Sequence, residues 1–292
     1  MVDLEILLQR PTVTCPRWMP ETAWVEHGPF AFWLIERLRP RTVVELGVHR
    51  GYSLCAFAEA MERRGVAGRV IGVDTWVGDE HAGFYGEEVL RDLSAHVRPL
   101  YGDRVELKRM YFSEALAEIA DGSIDLLHID GRHHYEDVVA DFTSWLPKLS
   151  PRAVVLFHDT QVRERDFGVW RLWGEIAATR PSFEFLHGHG LGVLAQGPEA
   201  PVAALAGLLD GDLDAAAVAR VRGHWAGLGA AVGAIAAREA KRARRRAKLR
   251  RLPGKAMRRI SAFVAGLFGV GGWTAPVAEP RRPAAWRQAE LS

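Results

Sequence analysis

A chain of 292 residues, 48% of them hydrophobic and 25% charged, has the make-up of an ordinary globular protein rather than a fibrous, disordered or membrane-embedded one. Its two cysteines, Cys15 and Cys55, give neither a disulfide framework nor metal-ligand spacing, which argues against secreted disulfide scaffolds and cysteine-held zinc modules and makes a reducing compartment the expectation. The net charge of +2 hides a split: residues 238–259 carry twelve Lys or Arg against one acid, leaving 26 basic and 35 acidic residues elsewhere, so an acidic body bears a basic tail.

Residues 1–20 lack a basic start followed by an apolar stretch, so no secretory leader is expected, and no uncharged apolar run approaches the length of a membrane span. The aromatic segment with Trp18, Trp24, Phe30, Phe32 and Trp33 reads either as an acceptor-side cap or, over 28–38, as a core helix. From residue 41 onward, β-rich runs alternate with helical patterns. "TVVELGV" (42–48) precedes a helix, "RVIGVDT" (69–75) leads into a glycine-bearing loop and a helix, and "RVELKRM" (104–110) precedes another. "IDLLHID" (124–130) and "AVVLFHD" (153–159) are each followed by a helix, and "FEFLHG" and "LGVLAQ" close the series. Apolar strands separated by amphipathic helices predict an α/β fold, doubly wound on a mostly parallel sheet. Residues 200–235 read as two weakly polar helices, "AREAKRARRRAKLRR" as a basic helix broken by Pro253-Gly254, and "RRISAFVAGLFGVGGW" as a short apolar segment. The Pro-bearing end is expected to be disordered. The expected layout is a cap over 1–40, a sheet domain over 41–198, a helical extension with the basic helix over 199–252, and a tail over 253–292.

Right-handed crossovers place every strand C-terminus along one edge of such a sheet, where open α/β folds bind ligands. Glu45 and Gly47, Asp74, Asp130, and His158-Asp159 all fall on that edge. In "VVELGVHRGYS", Gly47 and Gly51 follow the first strand and let backbone approach a ligand, although the dinucleotide fingerprint is missing. Asp74 ends the second strand, where such folds hold ribose hydroxyls, so a nucleoside site outweighs the plainer alternative of a tight turn with a capping acid. The block "HIDGRHHY" (128–135) adds Asp130 and three histidines. Carboxylates from adjacent strand ends converge readily on one divalent ion, and a neutral imidazole nearby accepts a proton. His128 reads as a hydrogen-bonded core residue, His134 as surface, Asp137 and Asp141 as solvated helix positions, and His187 and His189 as turn residues rather than ligands, in a turn that could face the rim.

"VVELGVHRGYS", "GDEHAGFYGEEVL" and "LLHIDGRHHYEDVVADFTSWLPKLSPRAVVLFHDT" together resemble the class I S-adenosylmethionine-dependent methyltransferases, and within them methyltransferase family 24, in a layout similar to macrocin-type and cephamycin-type O-methyltransferases. The resemblance covers roughly residues 25–197. It implies a seven-stranded Rossmann-like sheet whose last strand is antiparallel, with S-adenosyl-L-methionine as cofactor. It also implies that Gly47 and Gly51 line the methionine part, Asp74 holds the ribose and Trp76 packs on the adenine, with Glu45 in the same motif. Asp130 and Asp159 match the family's metal positions and His133 its base. The chain departs at His158, where the metal enzymes carry an acid. Either His158 joins Asp130 and Asp159 around Mg²⁺ or a softer divalent metal, or the ion is lost and the histidines act alone.

The expected activity is O-methylation of a hydroxyl on a small-molecule, sugar or glycan acceptor. Two alternatives remain: a metal-dependent hydrolase using the His/Asp cluster, and a non-catalytic nucleoside-binding module recruited to membrane. The long loop "WVGDEHAGFYGEE" reads as a lid. The basic helix suits an anionic membrane surface or a solvated arm better than nucleic acid, for which no module is recognisable. A cytoplasmic protein, peripheral at the inner membrane face and able to form a homo-oligomer, is the resulting expectation.

Overall fold

The structure, a computed structural model, describes residues 2–199, 205, 207–209 and 211–250. In chain order the elements are α1 (Leu4–Leu7), α2 (Gly28–Leu38), β1 (Thr42–Leu46), α3 (Tyr52–Arg63), β2 (Arg69–Asp74), β3 (Gly78–Asp79), β4 (Gly83–Phe84), α4 (Glu87–Tyr101) and β5 (Val105–Arg109). There follow α5 (Phe112–Ala115), β6 (Ile124–Ile129), α6 (Tyr135–Trp145), β7 (Leu149–His158), α7 (Val169–Ala177), β8 (Ser182–Phe185), β9 (Leu191–Ala195) and α8 (Ala215–Arg250).

Seven strands form one sheet in the order β5-β2-β1-β6-β7-β9-β8, and β3 and β4 form a separate two-stranded hairpin. All pairings from β5 to β7 are parallel, whereas β9 runs antiparallel to both β7 and β8. This is the doubly wound, mostly parallel seven-stranded sheet expected from the sequence, with its last strand antiparallel. Strand side chains alternate between two layers because successive residues point to opposite faces. Val43, Val70, Leu126 and Val154 join the core beneath α2 and α3, whereas Val44, Ile71, Leu127 and Val155 join the core beneath α6 and α7. Continuous burial on both faces explains why these strands read as unbroken apolar runs.

Of the N-terminal aromatics, Phe30, Phe32 and Trp33 of α2 are core, Trp24 is buried and also lines the cleft, and Trp18 is partly buried. Trp225 of α8 lies 5.5 Å from Phe30 and 5.7 Å from Trp33, edge-on to both rings. Each such buried side chain contributes about 1.5–3 kcal/mol. Residues Met1–Ala240 form one compact unit and Lys241–Ser292 a second. The expected borders near 40 and 199 therefore fall inside the first unit.

Two helices were expected between 200 and 235, but one begins at Ala215 and continues to Arg250. Asp214 starts it, its Oδ1 accepting from the Ala217 N–H at 2.7 Å. Within it Gly229 serves close packing, since a side chain there would collide with the Glu26 carbonyl. Of the second unit, the residues up to Arg250 are described, as the end of this helix. The expected apolar segment and Pro-bearing tail lie outside the described residues. Among the described residues no helix is long and apolar enough to cross a membrane.

Candidate active site

The strand order reverses between β1 and β6, and the chain leaves β1 through Gly47 at that point. Gly47 has φ +88°, and a Cβ there would collide with the Asp130 carbonyl, so only glycine fits both the backbone and the space. The loop that follows is fastened from the neighbouring strand. Asp74 Oδ2 accepts from the Val48 N–H at 2.9 Å and the His49 N–H at 2.8 Å, and Oδ1 accepts from the Trp76 N–H at 2.6 Å. A carboxylate taking three backbone N–H groups holds the loop rigidly, since such charge-assisted bonds are among the stronger ones. The capping role and a place on the cleft lining thus coincide in one residue.

Glu45 and Trp76 stand behind the cleft wall rather than on it. Glu45 is fully buried; Ser53 Oγ donates to its Oε1, tying β1 to the first turn of α3. Trp24 Nε1 donates to His128 Nε2 at 3.1 Å, which puts the His128 proton on Nδ1, 3.4 Å from Glu45 Oε1. Burial pushes the Glu45 carboxyl up, against the pull of His128 and Ser53. His128 is therefore the core histidine expected. Trp76 is 1% exposed, and its Nε1 donates to the His49 carbonyl at 3.0 Å. Its left-handed backbone, φ 53°, turns the ring inward beneath the glycine loop. The expectation that it packs on adenine is corrected on this ground; Tyr85, Tyr111 and Phe112 are rings that do line the cleft.

At the ends of β6 and β7 two carboxylates meet two imidazoles. His133 Nε2 lies 3.0 Å from Asp159 Oδ2 and 3.6 Å from Asp130 Oδ1. His158 Nδ1 lies 3.3 Å from Asp130 Oδ1 and 3.4 Å from Asp159 Oδ2, while its Nε2 donates to the Gly188 carbonyl at 3.1 Å. Burial disfavours charge on His133, but Asp130 and Asp159 outweigh it and push the imidazole up to about 9. For His158, burial is likewise outweighed by Asp159 and Asp130, and its pKa lies well above the ordinary value. The carboxylates respond in the opposite sense. Asp130 is held down to about 2 and Asp159 lower still, burial being overcome chiefly by His158. Within the cluster each carboxylate thus lies against both imidazoles.

Ligand atoms of Asp130, His133 and Asp159 all lie within 4.8 Å of one another, so the residues fit a divalent ion. Two carboxylate oxygens with an imidazole nitrogen suit Mn²⁺, Fe²⁺ or Zn²⁺ at least as well as Mg²⁺. The convergent set contains His133, whereas the sequence pointed to His158 as the third ligand. His158 Nδ1 still faces both carboxylates, and His133, 11% exposed at its side chain, is the imidazole lying against Phe167, ring centroids 4.5 Å apart.

Both groups line one cleft of about 750 Å³: Gly47, Gly51 and Asp74 of the first, and Asp130, His133, His158 and Asp159 of the second. The loop read as a lid is the β3–β4 hairpin, and it is tied across the cleft. Glu80 accepts from Arg132 at 2.6 Å and lies 2.8 Å from His134 Nε2, and Arg165 donates to the carbonyls of Glu80 and His81. His134, expected as plain surface, is thus part of the latch.

Two further residues line the cleft that the sequence had not named as site residues, although the turn holding one of them was expected to be able to face the rim. His189 was assigned to a turn; its Nδ1 lies 3.2 Å from Asp159 Oδ1 and its ring lines the cleft. The sign of it was the glycine on each side in "HGHG", which allows the tight hairpin between β8 and β9. Asp141 was assigned to a solvated helix face; it lines the cleft and is partly buried.

The profile of a family described as a methyltransferase domain matches residues 44–160, from the middle of β1 to just past Asp159. The uncharacterized protein y4gI of Sinorhizobium fredii is 56% identical over 180 residues, which is 62% of this chain and 20% of that protein, so the chain spans about a fifth of the relative's length. Solved structures that resemble the chain include a methyltransferase from Geobacter sulfurreducens, 18% identical, covering 59% of this chain and 78% of its own, with a TM-score of 0.44. The O-methyltransferase TomG from Streptomyces achromogenes, solved with S-adenosylmethionine, is 19% identical, covers 61% and 82%, and has a TM-score of 0.45. The matched segment, residues 44–160, holds the glycine loop, Asp74 and the acids at the ends of β6 and β7, so this part of the chain is similar to a methyltransferase domain.

Proposed function

We propose that this protein transfers a methyl group from S-adenosylmethionine to a hydroxyl oxygen of a small-molecule acceptor, a polyhydroxylated sugar, glycan or secondary metabolite being the favoured class. The observation that carries the reading is that the glycine loop and the Asp130–His133–Asp159 cluster line one cleft. Methyl transfer is a displacement at carbon, so alignment of oxygen, methyl and sulfur supplies most of the catalysis. The loop pinned by Asp74 is the cofactor's seat, and the cluster is where a hydroxyl is deprotonated.

A divalent ion would be held by Asp130 and Asp159 with an imidazole, His133 or His158, as third ligand; when bound it would lower the pKa of an acceptor hydroxyl. The carboxylates that now draw protons onto His133 and His158 would then be neutralised, and the imidazoles would release them. His133 has one lone pair at Nε2, so it serves either as ligand or as base. Vicinal hydroxyls suit such a centre because two of them replace two waters. The hydrolase alternative gains no support from a cluster placed opposite a glycine loop, which hydrolysis would leave unused.

The basic end of α8, with Arg238, Lys241 and Arg245 exposed, supports peripheral association with anionic membrane from the cytoplasmic side. The governing experiment is calorimetric titration with S-adenosylhomocysteine in EDTA, then with Mg²⁺ or Mn²⁺, followed by an acceptor screen that reads release of S-adenosylhomocysteine from S-adenosylmethionine. Micromolar binding and release with a polyol are expected. Absence of binding under every condition would sink the reading.

A further inference from the structure

Arg132 and Arg165 both line the cleft, and their surroundings differ. Arg132 is matched by acids: its Nη2 lies 2.6 Å from Glu80 Oε1 and its Nη1 3.5 Å from Asp137 Oδ2. Among the described residues no carboxylate pairs with Arg165. Its Nη2 donates instead to the carbonyls of Glu80 and His81, at 3.0 and 2.9 Å, and Nε and Nη1 have no protein partner among the described residues. Carbonyls satisfy N–H groups without cancelling the guanidinium charge. Asp79 of the hairpin is engaged elsewhere, its Oδ1 accepting from the His81 and Ala82 N–H groups at 2.8 and 2.7 Å.

The Arg165 cation is also held in place. Its own carbonyl accepts from His81 Nε2 at 2.7 Å, and φ of 58° at Arg165 and 59° at Asp166 puts two successive non-glycine residues in the left-handed region. Such backbone persists only where surrounding contacts enforce it, and it gathers at active sites and ligand clamps. Phe167 joins the cation to the cluster. Arg165 Cζ lies 5.9 Å from the centre of that ring, and the His133 ring stacks on it with centroids 4.5 Å apart. Arg165 thus belongs with the Asp130–His133–Asp159 cluster, whereas Arg50, the remaining arginine of the lining, belongs to the glycine loop.

A fixed guanidinium with donors to spare is preorganised for an oxyanion, which takes two of its N–H groups at once. We infer that the acceptor carries an anionic group, a carboxylate or a phosphate, near the hydroxyl that is methylated, and that Arg165 binds it. The inference rests on the methyl-transfer reading above and narrows its acceptor class from polyols in general to acidic ones, uronates and sugar phosphates. Because the same side chain holds the hairpin carbonyls, the bound anion and the closed hairpin share one anchor.

The test is calorimetric titration of the full chain, saturated with S-adenosylhomocysteine, with glucose, galactose and mannose, each as the neutral sugar, the uronate and the 6-phosphate. A charge-assisted hydrogen bond implies that an anionic member binds about 10- to 100-fold tighter than its neutral parent, and the ranking of uronate against phosphate tells which anion the site takes. In Arg165→Gln that preference should fall toward unity while S-adenosylhomocysteine affinity holds. Arg165→Lys keeps the charge without the planar fork, so it should retain part of the preference. A residue that served only to latch the hairpin would instead lose neutral and anionic binding alike in both variants. Should glutamine prevent folding, the lysine variant carries the test through its reduced preference. A preference kept in full by the folded variants overturns the role of Arg165. A native protein that binds S-adenosylhomocysteine but shows no anionic preference, or binds no member of the set, overturns the inference and leaves the cofactor reading intact. Failure to bind S-adenosylhomocysteine overturns both.

Discussion

Asp74 and Asp159 both end a central strand on the same rim, yet their surroundings differ in kind. Asp74 is occupied by three backbone N–H groups of its own and the neighbouring loop, whereas Asp159 faces the side chains of His133, His158 and His189. Backbone donors cannot titrate or leave, so the Asp74 side is set before any ligand arrives. Imidazoles exchange protons, so the Asp159 side is set by what binds. On the proposed function, cofactor binding would draw on preorganised geometry, and the acceptor site on electrostatics that an ion or substrate would complete.

The sharpest way to break that contrast is on the titratable side. His133→Ala should slow methyl transfer by roughly two to four powers of ten if His133 is the base, while S-adenosylhomocysteine affinity stays unchanged. Turnover and binding assays on one preparation check both halves, and normal turnover would remove His133 from the chemistry.

Next in size, Asp74→Ala should weaken S-adenosylhomocysteine about 10- to 100-fold, because the loop loses its charge-assisted bonds. The same variant should leave Mn²⁺ affinity unaltered, since the ion belongs to the other side. A calorimeter reads both constants.

A pH series sharpens the comparison further. Below about 9 His133 carries a proton that a cation must displace, so apparent Mn²⁺ affinity should climb as pH rises from 6.5 to 8.5. Titrations in two buffers of unlike ionisation enthalpy should reveal the released protons. Cofactor affinity over the same range should stay flat as far as Asp74 governs it. An Mn²⁺ affinity that does not vary with pH would mean that neither imidazole is cleared on binding.

The smallest effect concerns Asp141, whose folded-state pKa is raised to about 7 from the usual 3.8. For an acid raised on folding, the penalty is absent below its unfolded value, grows between about 4 and 7, and is complete above. Asp141→Asn should therefore leave Tm unchanged near pH 4 and raise it by about 2–4 °C at pH 8. Equal Tm differences at both pH values would show that burial of the charge costs nothing.

Much of this was legible in the chain. The seven strands, the parallel order of the first five and the rim positions of Gly47, Asp74, Asp130, His133, His158 and Asp159 follow from apolar runs that end in polar residues. Such signals are local: a strand buried on both faces must be apolar, and its C-terminus must lie at the ligand edge. Trp76 and Asp141 were read in the wrong direction for a shared reason. A left-handed φ turns the Trp76 ring into the core, and that backbone state has no marker in a non-glycine residue. Asp141 looked solvated because helical periodicity tells which face is polar, not whether Gly131 and Phe112 stand in front of that face.

By itself, the sequence determined the alternation of strand and helix, the glycine at the first strand's end and the acids along one rim, since each depends on residues a few positions apart. Only the tertiary structure decided which side chains share a site. His189 reaches Asp159 because β9 pairs antiparallel with β7, His158 opposite Leu191, and Glu80 reaches Arg132 because the hairpin folds across the cleft. Contacts of that kind join residues some 30 to 50 positions apart, and they arise from sheet register and loop closure, which no local pattern encodes.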